Sequence, residues 1–222
     1  MNDHEGRAAR GSQYWLQQLV NENAELLNQH ITASIAPLEG KAIEWLSPLA
    51  SENFREYRDG AFLKKLGIDL QARPLSEFWP TGGPVWDGLA KTRDGDLLLV
   101  EAKSHIPEAV SPPSRASPTS LAKIRSSLDE TKGWLNGNRD ADWSGIFYQY
   151  TNRLAHLYLL RELNHRPAWL VFIYFVGDDE MNGPGTIDEW KGAVLTIETY
   201  LGVTRSRLSP YVGHVYLDVR ET

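Results

Sequence analysis

An unbroken apolar run of nine residues, AWLVFIYFV at positions 168–176, constrains the fold of this 222-residue chain more than any other stretch. The run is too short to cross a bilayer, so it predicts a buried strand. Helical patterns, a hairpin and further strands surround it, and this order predicts an α/β protein with a mixed sheet. The chain length and a hydrophobic content of 41% suffice for one sizeable core, so a single domain over residues 1–222 is expected.

Hydrophobic spacing and the positions of proline and glycine predict the other elements. Ser47-Pro48 has the pattern of a helix N-cap followed by proline at the first helical position, and Gly67 is a stop signal. Helices are predicted over residues 12–35, 47–66, 120–135, 145–163 and 186–202. Strands are predicted over residues 69–74, 85–92, 96–104, 168–176 and 211–219, with a hairpin turn at Arg93-Asp94-Gly95.

Composition limits the cell compartments and the classes of partner that are expected for this chain. The chain has no cysteine, which excludes disulfides and thiolate metal sites and suits a reducing cytosol. Its first residues, MNDHEGRAARGSQ, lack the apolar core of a signal peptide, so a cytoplasmic location without membrane association is expected. The net charge of −6 argues against sequence-blind attraction to nucleic acid, although residues 103–166 carry nine Lys and Arg against six Asp and Glu.

The predicted hairpin carries charge at an unusual place. An apolar stretch at residues 97–100 runs directly into Glu101-Ala102-Lys103, and buried charge is costly unless it is paired or holds a metal. Side chains alternate along a strand, so Glu101 and Lys103 share one face and Ala102 points to the other. The pattern therefore indicates either a surface ion pair or a functional site.

Asp87, on the first strand of the hairpin, completes this group only in one register. A three-residue loop at Arg93-Asp94-Gly95 places Asp87 opposite Glu101, on the same face. A two-residue Asp-Gly loop places it opposite Ala102 instead, on the wrong face. In the favourable register, the two carboxylates and the Ala102 carbonyl form a hard oxygen site suited to Mg²⁺ or Mn²⁺. A lysine beside such a site can orient or deprotonate an attacking water.

Asp87, thirteen intervening residues and then Glu101-Ala102-Lys103 at the end of an apolar strand resemble the PD-(D/E)XK nuclease superfamily. The resemblance covers residues 47–176 and implies a restriction-endonuclease-like, three-layer α/β/α core with a mixed central sheet. Residues 1–46 would then be an N-terminal helical extension, and residues 177–222 a C-terminal helix and strand. One departure is that Trp86, and not proline, precedes the aspartate; the nearest proline is Pro84.

The resemblance also implies roles for individual residues. Asp87 and Glu101 would bind the metal together with the Ala102 carbonyl, and Lys103 would be the catalytic lysine. Members often add a glutamate from the helix before the hairpin, for which Glu56 is the candidate metal ligand and catalytic residue. Candidates for substrate contact or support of the site are Gln149, Asn152, Arg153, Glu52 and His105. The ordinary interpretation of Gln149, Asn152 and Arg153, by contrast, is that they face water from a helix surface.

The motif and its resemblance favour a metal-dependent nuclease, an endonuclease-like hydrolase of phosphodiester bonds that uses Mg²⁺ or Mn²⁺. The resemblance implies that its products would carry 5′-phosphate and 3′-hydroxyl ends. DNA is preferred over RNA as the substrate, and a homodimer is implied if the protein cuts both strands. The alternative is a non-catalytic module that retains the fold and binds nucleic acid or protein. A carboxylate-pair glycosidase is a poorer explanation because it leaves Lys103 without a role.

Overall fold

The computed structural model describes residues 5–111, 114 and 116–221. Its sheet has five strands, ordered in space as in the chain. The neighbouring pairs β1–β2 and β2–β3 are antiparallel, whereas β3–β4 and β4–β5 are parallel. The strands are β1 (Ile43–Ser47), β2 (Gly88–Thr92), β3 (Leu97–Lys103), β4 (Ala168–Val176) and β5 (Val212–Asp218). The predicted α/β class with a mixed sheet is confirmed.

Helices lie on both faces of the sheet. Their bounds are α1 (Gly11–Glu22), α2 (Ala24–Ser34), α3 (Asp59–Leu66), α4 (Leu75–Phe78), α5 (Ile106–Ala109), α6 (Pro118–Leu135), α7 (Tyr148–Tyr158) and α8 (Ile187–Leu201). Helices α1 and α2 bury their leucines on one face, and α3, α6, α7 and α8 cover the other. This arrangement is compatible with a three-layer fold.

The layers explain the composition of β4. Leu170 and Phe172 pack in the core beneath α7 and α8, while Val171 and Ile173 pack in the core beneath α1 and α2. A strand covered on both faces needs apolar side chains in both directions, so its sequence is continuous rather than alternating. The prediction of a buried strand over residues 168–176 is confirmed at both ends.

The predicted helix over residues 12–35 is broken at Asn23 into α1 and α2. Asn23 has φ −145° and ψ 48°, which is outside the helical region. Asparagine favours such local breaks because its side chain competes for backbone hydrogen bonds. The break allows each short helix to turn its own apolar stripe, including Leu19 in α1 and Leu27 in α2, onto the sheet.

The predicted helix over residues 47–66 is wrong in its first half. Ser47 ends β1, and a 3₁₀ turn at Ala50–Glu52 is followed by a turn at residues 53–54 and by non-helical backbone up to α3. Asn53 and Phe54 both have positive φ, 54° and 57°, which excludes a continuous helix. Only the end, α3 with its stop at Gly67, matches the prediction.

The strand predicted over residues 69–74 is also wrong. Residues 71–73 form bends, and the Asn164 side chain takes the place of a strand partner. It accepts from the Arg73 backbone N–H at 3.1 Å and donates to the Arg73 carbonyl at 3.0 Å. The helix predicted over residues 145–163 begins at Tyr148, and its last turn, Leu159–Leu163, is π-helical. No helix within the described ranges has both the length and the apolar composition needed to cross a membrane.

Candidate active site

The hairpin has the register that the site hypothesis requires. The Thr92 N–H donates to the Asp96 carbonyl at 2.9 Å, which closes a three-residue loop. The pairs Gly88↔Val100 and Leu89↔Leu99 follow from that closure. Continuing the register by one pair places Asp87 opposite Glu101. The prediction that the loop contains an odd number of residues is therefore confirmed.

Asp87 lies just before β2, beyond the last backbone pair of the β2–β3 ladder, and its side chain hydrogen-bonds to the β3 backbone there. Its Oδ2 accepts from the Ala102 backbone N–H at 2.7 Å. Its predecessor Trp86 is fully buried and forms an isolated bridge with Tyr57. The two contacts hold Asp87 at the end of β3, beside the residues with which the sequence groups it.

Glu101 and Lys103 share a strand face, as alternation predicts. Leu97 and Leu99, the preceding residues on that face, pack in the core beneath α6 and α7, and Ala102 packs in the opposite core. Only 2% of Glu101 and 9% of Lys103 is exposed. The Lys103 ammonium is paired with Oε1 of Glu101, so this carboxylate is held from its own strand.

Arg153 of α7 holds the other oxygen of Glu101. Its Nε and Nη2 lie 2.6 Å and 2.5 Å from Glu101 Oε2, and its Nη2 also donates to the Val85 carbonyl at 2.7 Å. The guanidinium carbon lies 4.7 Å from the centre of the Trp86 ring. Asn152 Oδ1 accepts from Nη1 at 3.0 Å. Arg153 is thus fixed by four groups and cannot be regarded as a surface residue.

Glu56 reaches the site from the extended segment that replaces the predicted helix. It is only 3% exposed, and its Oε1 accepts from the Gln13 side-chain amide at 2.7 Å. Glu56 therefore lines the cleft as predicted, but a non-helical segment places it there and not the predicted helix. Sequence reasoning missed Gln13, because its partner is 43 positions away and a glutamine on an amphipathic helix carries no special signal.

The remaining candidates are divided by the structure. Asn152 and Arg153 are buried, so the interpretation that they face water is wrong, whereas Gln149 is partly buried and lines the cleft. Glu52 lies elsewhere and is bound by Lys65 at 2.5 Å and by the Tyr57 hydroxyl at 2.5 Å. His105 follows the end of β3, outside the cleft lining, with its Nδ1 3.4 Å from Glu108.

The acidic residues open into one cleft of about 890 Å³. Its lining includes Gly82, Gly83, Ser111 and Tyr148. The residues of the site that line it are Glu56, Asp87, Glu101, Ala102, Lys103, Gln149, Asn152 and Arg153. A cleft of this size is within the range that small ligands and short segments of a polymer occupy.

Burial and mutual repulsion perturb the carboxylates. Burial, and then the negative charge of Asp87, raise the pKa of Glu56 to about 9. Burial and the charge of Glu101 raise the pKa of Asp87 to about 7. For Glu101, burial acts in the same direction, but Arg153 and Lys103 outweigh it and hold the pKa below its usual range. Such a split among neighbouring carboxylates is typical of functional sites.

The donor chemistry fits a hard divalent cation. Asp87, Glu101, Glu56 and the Ala102 carbonyl are all oxygen donors, and the repulsion among the acids is what a bound cation relieves. The side chains do not form a closed ligand shell: within the described ranges, no three Asp, Glu or His side chains are grouped closely enough to hold a metal. Glu101 would have to exchange at least one of its present cationic partners.

The raised pKa of Glu56 predicts the pH dependence of stability in the presence of EDTA. An acid whose folded pKa lies above its unfolded value of 4.5 stabilises the fold fully below pH 4.5, and that contribution is lost as the pH rises to about 9. Asp87, with a pKa raised to about 7, loses its contribution in the same direction over the lower part of the interval. His156 opposes this slightly near pH 6.5, because burial lowers its folded pKa to about 4 and its unfolded form gives up its proton around pH 6.5. We expect the melting temperature to fall by several degrees between pH 6.5 and pH 9.

The measurement is differential scanning calorimetry on the wild type and on Glu56→Gln. The variant is expected to show a flatter curve over the same interval, because glutamine does not titrate. Adding Mn²⁺ at pH 9 is expected to restore much of the loss in the wild type. Equal slopes for the two proteins would contradict the assignment of the pH effect to Glu56.

Comparisons with protein-family models, with curated proteins and with solved structures find no match to this chain. The class that the fold and the site define is an α/β protein with a mixed five-stranded sheet and a buried acid-lysine-arginine cluster at the end of its central strand.

Proposed function

We propose that the protein is a metal-dependent nuclease that hydrolyses phosphodiester bonds, with DNA as its substrate. One observation carries the proposal. Asp87, Glu101 and Lys103, which resemble the superfamily motif in sequence, converge at the end of β3 in a single cleft, and a fourth group, Glu56, joins them from a separate segment. A surface ion pair does not require this convergence or this burial.

Each side chain has a chemical role in this proposal. Lys103 lies beside the carboxylates and would orient the attacking water or stabilise negative charge on the phosphate as it develops. Asp87 is held by the Ala102 N–H, which leaves Oδ1 for a ligand. Arg153 would keep Glu101 ionised and oriented, as its two contacts with Oε2 already do.

Mg²⁺ or Mn²⁺ would be held by Asp87, Glu101, Glu56 and the Ala102 carbonyl. When bound, such an ion lowers the pKa of water and offsets charge on the phosphodiester. The residues of the chain would align the phosphate within the cleft and exclude bulk water from the buried carboxylates. Glu56, which is only 3% exposed, is well placed to help exclude bulk water.

The test is cleavage of supercoiled plasmid, single-stranded DNA and single-stranded RNA by the purified protein in Mg²⁺, in Mn²⁺ and in EDTA. We expect cutting of DNA in both metals and none in EDTA, with 5′-phosphate ends that DNA ligase can rejoin. Cutting that persists in EDTA, or the absence of cutting on all substrates in both metals, would contradict the proposal.

One observation favours the non-catalytic alternative. Both oxygens of Glu101 are engaged by cations of the chain, an arrangement that stabilises a fold without any ligand. A binding module of this kind would bind nucleic acid or protein equally well in EDTA. Fluorescence anisotropy with labelled DNA in EDTA measures binding, and plasmid cleavage in Mn²⁺ measures cutting. Binding without cutting in either metal would favour the module, because only the nuclease uses the ion to hydrolyse DNA.

A further inference from the structure

Helix α1 supplies a side chain to the candidate site. The Gln13 amide donates to Glu56 Oε1 at 2.7 Å, and no other hydrogen bond to the Glu56 carboxyl is seen among the described residues. Glu56 is 3% exposed, so its carboxyl has little access to solvent and the Gln13 amide is the donor that the structure shows for it. Its second oxygen, Oε2, has no such partner within the described part of the chain and belongs to a residue that lines the cleft.

The position of Gln13 is itself fixed. The next residues of α1, including Leu16 and Leu19, are buried in the core against the sheet. Ser12 donates to Glu108 Oε1 at 3.2 Å, and the other oxygen of Glu108 accepts from the Ser104 N–H at 2.7 Å. The first turn of α1 is thereby tied to the residue that follows Lys103. A donor held this firmly can set the orientation of its acceptor.

We propose that Gln13 is a positioning residue of the site, which holds Oε1 of Glu56 so that Oε2 is directed to a divalent cation. The inference rests on the proposed function and deepens it: the first helix is part of the site and not an appendage to it. Residues that orient a ligating carboxylate typically affect metal affinity by 10- to 100-fold. A contact that only joins α1 to the loop before α3 would affect stability and leave metal affinity unchanged.

The experiment compares Gln13→Leu with Gln18→Leu, a matched change on the same helix. Gln18 contacts Arg7 and Glu22 and does not line the cleft. Isothermal titration calorimetry with Mn²⁺ measures affinity, and thermal unfolding measures stability. We expect Gln13→Leu to weaken Mn²⁺ binding at least tenfold, and Gln18→Leu to leave it within twofold of the wild type.

A second measurement separates positioning from damage to the fold. For Gln13→Leu, the Mn²⁺ concentration giving half-maximal DNA cutting is expected to rise tenfold or more, while the rate at saturating Mn²⁺ falls less than threefold. Wild-type affinity in Gln13→Leu, or equal losses in both variants, would overturn the role of Gln13 while leaving the nuclease intact. A wild type that neither binds Mn²⁺ nor cuts would overturn the proposed function and this inference together.

Discussion

Lys103→Met is expected to abolish DNA cutting while Mn²⁺ still binds, whereas Asp87→Asn is expected to lose both. In the proposed mechanism, Lys103 is the only member of the trio that would act on water or phosphate without being a metal ligand, and such groups contribute roughly 10²- to 10⁴-fold to the rate. Methionine preserves most of the apolar stem of this 9%-exposed side chain, and Arg153 remains as a counter-charge for Glu101, so the fold is expected to lose stability but to survive.

The two variants are expected to differ in their affinity for Mn²⁺. Removing Lys103 frees Oε1 of Glu101 from its cation, so Mn²⁺ affinity is expected to stay equal or to increase. Asparagine at position 87 still accepts from the Ala102 N–H but lacks the charge that a hard cation prefers. We expect at least a tenfold loss of Mn²⁺ affinity in Asp87→Asn, measured by calorimetry.

Lys91→Met is the control, since Lys91 lies on the same hairpin, is paired with Glu44 at 3.7 Å and does not line the cleft. It is expected to cut DNA at the wild-type rate. Plasmid cleavage and calorimetry on the three variants use the same preparations. Cutting that survives unchanged in Lys103→Met would assign the activity to another site or to a contaminant.

The parts of the fold that the sequence predicts are those with local signals. Helix α8 has its capping box at Thr186 and Glu189 and its stop at Gly202, and each lies within a few residues of the helix end that it determines. The hairpin register follows from the length of one loop, and alternation places Asp87 opposite Glu101 only if the number of loop residues is odd. The amino-acid sequence therefore groups Glu101 with Lys103 and adds Asp87 in one of two possible registers, which is the register that the structure has.

The rest of the site depends on contacts between distant segments. Residues 47–56 have helix-like spacing, but Trp45 and Ser47 are buried in the sheet edge and the chain leaves Ser47 extended. The energy of sheet pairing and core burial outweighs local helix preference there. Glu56 therefore lines the cleft, as the site hypothesis requires, but it does so from a segment that is not helical.

The contact between Arg153 and Glu101 also depends on tertiary structure that the local sequence does not predict. An arginine in the pattern YQYTNRLAHLYLL is most simply a solvent-facing helical residue. Its partner Glu101 is 52 positions away, and nothing in either local sequence links the two. Only the packing of α7 across β3 brings the guanidinium to the carboxylate, which is information about tertiary structure and not about periodicity.

Arg153→Leu is expected to destabilise the protein severely, because it leaves an ion in the core. Glu101 is 2% exposed and would keep only Lys103 as a counter-charge, while the Val85 carbonyl and the Asn152 amide would lose a donor. Breaking a buried pair from one side costs about 3–5 kcal/mol. At roughly 2–4 °C per kcal/mol for a chain of this size, the melting temperature is expected to fall by about 10 °C.

Two further variants test whether the loss of stability in Arg153→Leu comes from the unpaired carboxylate of Glu101. Adding Glu101→Gln to Arg153→Leu removes the unpaired charge and is expected to recover part of the stability. The control is Arg139→Leu at an exposed position, which is expected to change the free energy of unfolding by less than about 0.5 kcal/mol. Saturating Mn²⁺ is expected to stabilise Arg153→Leu more than the wild type, because a bound cation would replace the missing positive charge beside Glu101. Calorimetric melting with and without Mn²⁺ measures all of these differences. An Arg153→Leu variant as stable as Arg139→Leu would show that Glu101 is not held as an ion by Arg153, and the charge arrangement from which the site is argued would then be incorrect.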